Sequence, residues 1–164
     1  NKDVSPAPMY YISPNSILAG HNLLGLNISK ANLKFANLSN TNLSYANLNN
    51  ANLSRAILTD ANLTNTTLTD ANLRGAKLTN TTLTDAKLSG ADLSHAFLTD
   101  ANLNGTWLRG TNLTEAFLNG TDLTDTDLYG AILRGADLTG VKANTDTICP
   151  NGKNWGTSGN DCGF

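Results

Sequence analysis

Few residues of this chain are of the types that do chemistry. It has two cysteines, Cys149 and Cys162, and two histidines, His21 and His95. A thiol nucleophile needs a base within hydrogen-bond reach, and a zinc site needs about four nitrogen or sulfur ligands at short local spacings. Neither histidine lies near the cysteines in sequence, so neither arrangement is expected. Both cysteines fall in a Gly/Asn-rich tail, and they read as a disulfide clasp; two free thiols is the other reading. The clasp would close a loop of roughly 14 residues, worth ~3 kcal/mol in the chain-entropy account, and would imply an oxidising compartment. Asp60, Asp70, Asp85, Asp100 and Asp125 offer carboxylates for acid–base work or calcium. They share one station of a repeat, however, where turn chemistry accounts for them. The Gly-Asp nonapeptide of calcium-binding β-rolls is absent. There is no Ser/His/Asp set, no phosphate loop and no His/Glu metal motif. The chain is expected not to be an enzyme and to need no cofactor or metal.

Composition narrows the partners. Thirteen acidic and eleven basic side chains leave a formal charge of −2, which is no footprint for nucleic acid. No apolar run approaches the ~20 residues of a membrane-spanning helix, so membrane insertion is not expected. The opening Asn1-Lys2-Asp3-Val4-Ser5-Pro6 is what processing of a longer precursor, or deliberate trimming, would leave.

The element that must position everything is a repeat. Stepping by five from Leu18 to Leu138 meets 25 stations, of which 24 are Leu and one is Ile. Two residues before each, from Ala31 to Ala136, stands Ala or Thr: Thr at 41, 66, 81, 106, 111, 121 and 126. Two residues after, 19 of the 25 stations hold Gly, Asn or Asp. An α-helix would rotate successive leucines by ~140°, and a flat strand would alternate their faces, so neither buries them together. The chain must therefore turn a corner in every repeat, where Gly, Asn and Asp tolerate positive φ. Leu and the small residue two before it point inward, and the other three positions face water. His95 and the five aspartates sit at corners. His21 falls on an inward small-residue station, which suggests the join to a cap. Inward threonine hydroxyls need backbone carbonyls, of their own or a neighbouring coil.

Ala31-Asn32-Leu33, Ala36-Asn37-Leu38, Ala51-Asn52-Leu53, Ala91-Asp92-Leu93 and Ala136-Asp137-Leu138 carry the A(N/D)Lxx signature, and over residues 16–140 the chain resembles the pentapeptide-repeat family. The resemblance implies an all-β, right-handed quadrilateral β-helix with four repeats per coil. That gives about six coils and a rod of roughly 30 Å at the usual strand spacing. Residues 1–15 (Pro6, Pro8, Tyr10, Tyr11, Ile12, Pro14) read as an N-terminal cap, 16–140 as the β-helix, and 141–164 as a C-terminal cap with the disulfide loop, the repeat fading after Gly140. The tail is similar to those of exported cyanobacterial members, which implies the thylakoid lumen or periplasm. Asn-x-Ser/Thr triplets such as Asn37-Leu38-Ser39 follow from the repeat.

The expected function is a structural or protein-interaction module with an unidentified protein partner, monomeric or weakly self-associating. Two alternatives have their own tests. Some family members mimic DNA and bind gyrase as strongly acidic dimeric rods. Here the charge is small and Lys77, Lys87, Arg109 and Arg134 interleave the acids, so no inhibition is expected in a supercoiling assay. Ice binding would use flat threonine arrays such as Thr59, Thr79, Thr99 and Thr139, but the adjoining column (Ile57, Lys77, Phe97, Phe117) breaks the lattice, so no thermal hysteresis is expected. That column is the candidate interaction surface. The station before each Leu points outward, and six of them are large and apolar: Ile17, Ile57, Phe97, Trp107, Phe117 and Ile132. A 20-residue coil puts four on one face and Trp107 on the opposite one.

Overall fold

The computed structural model describes residues 12–157 together with Cys162. Pro6, Pro8, Tyr10 and Tyr11 of the predicted N-terminal cap lie outside the described residues, as do 158–161 and 163–164.

Three extended residues, Ala/Thr-x-Leu, alternate with a two-residue corner along almost the whole chain. The corner residue two after each Leu has φ between 55° and 72° at every station from Asn15 to Gly140. The residue after it donates its N–H back to the Leu carbonyl, as in Ala36 to Leu33 at 2.9 Å, which closes a turn of the type II kind. Between corners the chain is too short for a long strand, so each extended segment pairs through a single parallel bridge. From Ile17–Asn37 to Asp122–Lys142 every parallel bridge joins residues 20 apart. Four repeats therefore make one square coil. The faces are read by the residue before Leu: the first carries residues 17 to 137 in steps of 20, the second starts at 22, the third at 27 and the fourth at 32. The coil is right-handed, as parallel crossovers are.

From Leu18 to Leu123 each inward Leu or Ile N–H donates to the carbonyl 19 residues ahead, Leu78 to Phe97 at 2.7 Å for example, and from Asn15 to Gly120 the corner N–H does the same, so these coils are stitched at every repeat. From Leu33 to Leu128 the leucines are at most 1% exposed. Each contributes about 1.5–3 kcal/mol of burial. The threonine hydroxyls find the carbonyls they need. Those of Thr66, Thr81, Thr106, Thr111, Thr121 and Thr126 donate at 2.8–2.9 Å to the Leu carbonyl 23 residues earlier, one coil back, while Thr41 uses Leu38 of its own coil.

The structure departs from the sequence reading in four places. His21 is exposed, with Nδ1 3.1 Å from the Ala19 carbonyl; an imidazole does not fit a station built for Ala, and it swings out of the first coil. Ser44 and Ser94 are buried rather than water-facing, each a short side chain between longer ladder neighbours (Leu24 and Thr64; Arg74 and Thr114). Corner geometry already exists at Asn15, whose N–H reaches Lys34 O at 2.9 Å. At the other end the coil does not stop at Gly140. Thr147, Ile148 and Cys149 occupy the small, outward and Leu stations of one more repeat, displaced by one extra residue: Ile148 bridges Asp127, Thr147 Oγ1 donates to Leu123 O, and Cys149 is fully buried. The chain then reverses, Ile148 pairing antiparallel with Asn154 and Gly152 lying over the Tyr129 ring.

Candidate interaction surface

The station before Leu has a structural job that the sequence reading missed. When it is Asn or Asp, its Oδ1 turns back and accepts the N–H of the first corner residue two positions on. Asn37 caps Ser39 at 3.1 Å, Asn72 caps Arg74 at 3.1 Å, Asp122 caps Thr124 at 3.0 Å and Asp137 caps Thr139 at 3.0 Å. This Asx turn satisfies an amide that the type II corner leaves pointing outward. The signal was visible as the dominance of Asn and Asp at that station.

On the first face the cap is given up in four successive coils, at Ile57, Lys77, Phe97 and Phe117. The amides of Thr59, Thr79, Thr99 and Asn119 have no protein acceptor among the described residues. The Phe97 and Phe117 rings stack with centroids 5.0 Å apart and planes 6° from parallel, and they remain 41% and 42% exposed. Lys77 is exposed and Ile57 half-buried beside them. Asn37 separates this stripe from Ile17, and Asp137 ends it. Hydrogen bonds from the Thr139 hydroxyl, the Asn119 amide (Nδ2 to Oδ2, 2.6 Å) and the Thr139 N–H hold the Asp137 carboxyl below its usual range, so it stays charged.

The opposite, third face carries Trp107, with Lys87 Nζ 5.2 Å from its ring centre, and an Arg109–Asp127 ion pair at 3.1 Å in which Arg109 also covers Tyr129. These cation–aromatic contacts tie the third-face rings into the rod's own surface. Among the described residues the Phe97–Phe117 pair has no such cation over it. Ile132 stands alone on the fourth face. His95 sits half-exposed at a corner with Nδ1 3.1 Å from Glu115 Oε2, a contact set up by their 20-residue separation. Asp60, Asp70, Asp85, Asp100 and Asp125 all occupy positive-φ corners. Cys149 and Cys162 are bonded, with Cα atoms 4.9 Å apart. Among the described residues no group of three or more His, Cys, Asp and Glu is placed to hold a metal, and no helix is long and apolar enough to cross a membrane.

A comparison with curated proteins returns no match. Among solved structures the chain is similar to HetL, a pentapeptide repeat protein involved in heterocyst differentiation regulation from Nostoc sp. strain PCC 7120, at 25% identity over 88% of this chain and 92% of that one, TM-score 0.35. It is similar to Rfr23 from Cyanothece 51142 at 29% identity over 79% and 88%, TM-score 0.35. A pentapeptide repeat protein from the Arabidopsis thaliana thylakoid lumen matches at 28% identity over 62% and 68%, TM-score 0.32. The family model for pentapeptide repeats matches in 8 copies over residues 15–44, 36–75, 46–85, 68–105 and 106–140. With the 20-residue coil, the leucine interior and this match across most of its length, the chain belongs to the pentapeptide-repeat family.

Proposed function

We propose that this chain is a non-enzymatic structural rod that docks a protein partner through the stripe Ile57–Lys77–Phe97–Phe117, in an oxidising extracytoplasmic compartment, the thylakoid lumen or periplasm. One observation carries the reading. Four adjacent coils on one face replace a turn-capping Asn or Asp with a large side chain that leaves a corner amide without an acceptor among the described residues. A side chain kept for stability would be expected to keep the cap, worth about 0.5–1.5 kcal/mol as a hydrogen bond. Exposed apolar stripes of this kind mark association surfaces. The bonded Cys149–Cys162 pair supports the oxidising compartment.

The test is quantitative cross-linking in the native compartment, with wild-type protein and a Phe97→Asn/Phe117→Asn variant as parallel baits. Contacts mapped to the first face should be present for wild type and lost in the variant while both stay folded. Equal cross-linking by the two baits would sink the reading.

A further inference from the structure

We infer that the partner that fits the first face is a second copy of this chain, packed antiparallel about a two-fold axis that passes between the Phe97 and Phe117 stations. The inference rests on the reading of that face as a contact surface and names its occupant.

Both rods carry the same ladder, one side chain per coil at about 4.8 Å. Two such faces are commensurate at every station, so only a discrete set of registers exists. With the axis midway between Phe97 and Phe117, Phe97 meets Phe117 of the second copy and the reverse, giving four rings at the centre. The same axis sets Lys77 against Asp137 of the second copy, again twice, because both lie one coil beyond the rings. Lys77 is exposed and has no ion pair within its own chain among the described residues, and Asp137 is held ionised by Thr139 and Asn119. At one rim His95 comes opposite Glu115 of the second copy. Arg74 and Arg134 also meet there, but both are exposed and their stems can swing into water.

The other registers lose this match. Parallel rods about a two-fold along the axis put Lys77 on Lys77 and Asp137 on Asp137. An antiparallel pair centred on Phe97 sets Lys77 over Phe117 and Asp137 over Ile57. One centred between Lys77 and Phe97 sets Lys77 over Phe97 and Asp137 over Asn37. Of these, only the axis between the two rings pairs both charges and buries both rings, an isologous arrangement in which each contact occurs twice.

Charge reversal tests the register. Lys77→Asp alone sets two carboxylate pairs face to face, and Asp137→Lys alone sets two ammonium pairs; each should weaken the wild-type dimer at least tenfold in sedimentation velocity. Mixing the two variants restores opposite charges at both contacts, so the mixture should form a 1:1 heterodimer near wild-type affinity. Lys77→Asp touches no core contact and offers the Thr79 corner the same cap that Asp137 gives Thr139, so its loss of dimer is not a folding defect. Should Asp137→Lys loosen the Thr139 corner, Asp137→Asn keeps the cap without the charge and should still weaken the dimer. A wild-type protein that stays monomeric across the concentration range overturns the second copy as partner while leaving the cross-linking test of the surface to stand or fall separately. A wild-type dimer that Lys77→Asp leaves intact, or variants that do not associate on mixing, overturns this register.

Discussion

Replacing Lys77 by Asn should make the rod more stable. Lys77 is exposed at a station where Asn or Asp elsewhere accepts the corner N–H at 2.9–3.3 Å, and the Thr79 amide it leaves open has no acceptor among the described residues. Lys77→Asn supplies that acceptor. The gain is one hydrogen bond, about 0.5–1.5 kcal/mol net, against the loss of a lysine stem lying beside Ile57 and Phe97. For a domain of this size 1 kcal/mol moves Tm by about 2–4 °C, so the cap alone should raise Tm by roughly 1–6 °C, less whatever the lysine stem contributed. The mirror substitution, Asn72→Lys, removes the 3.1 Å bond to the Arg74 amide and should lower Tm by a similar amount. Differential scanning calorimetry on the two variants and wild type decides it. If both substitutions move Tm in the same direction, the corner-cap account is wrong, and with it the argument that the stripe was kept for something other than stability.

Leu78 is 1% exposed at the middle of the rod, and Leu78→Asp places an unpaired charge in a dry core; it should unfold the central coils. Asn80→Ala, at an exposed corner with φ 57°, should cost only about 1–2 kcal/mol from left-handed backbone strain, and equal melting of the two would refute the inward and outward assignment. Reducing Cys149–Cys162 removes a constraint worth ~3 kcal/mol in the chain-entropy account, so amide exchange after reduction should rise first in the coil around Thr147–Cys149. Uniform exchange along the rod would contradict this. Asp137 has a lowered folded-state pKa, chiefly through the Thr139 hydroxyl. Its contribution is therefore present above the unfolded carboxylate value of about 3.9 and is lost as pH falls through the folded value. NMR of the Thr139 amide should show the corner opening only in that acid window, and opening near neutrality would refute it.

The period of five and the inward columns were legible because every repeat restates them. What was not legible follows from single residues. Cys149 takes a leucine station, but one extra residue between Lys142 and Thr147 moves it out of the five-residue step. Lys30, Phe35, Tyr45, Arg55 and Glu115 hold positive φ although their types disfavour it. A strain of about 1–2 kcal/mol each is outweighed by the coils stitched above and below, and composition alone cannot express that balance. Asn and Asp before Leu were read as water-facing, while their oxygens cap the following corner; periodicity reports which side a residue faces, not what its side chain accepts. The Phe97–Phe117 column was readable once the coil length was fixed at 20, because only then do those stations become neighbours. Its lack of caps required the hydrogen bonds themselves.

The measurement that bears most directly on the central claim is a paired determination of melting and association for wild type and Phe97→Asn/Phe117→Asn. Asn at both stations restores corner caps to Thr99 and Asn119 and offsets the lost ring stack, worth about 0.5–1.5 kcal/mol beyond area burial. The account predicts a Tm within a few degrees of wild type and a clear loss of association in sedimentation. A variant that melts far lower while associating as before would show that the rings hold the rod together and present nothing to a partner.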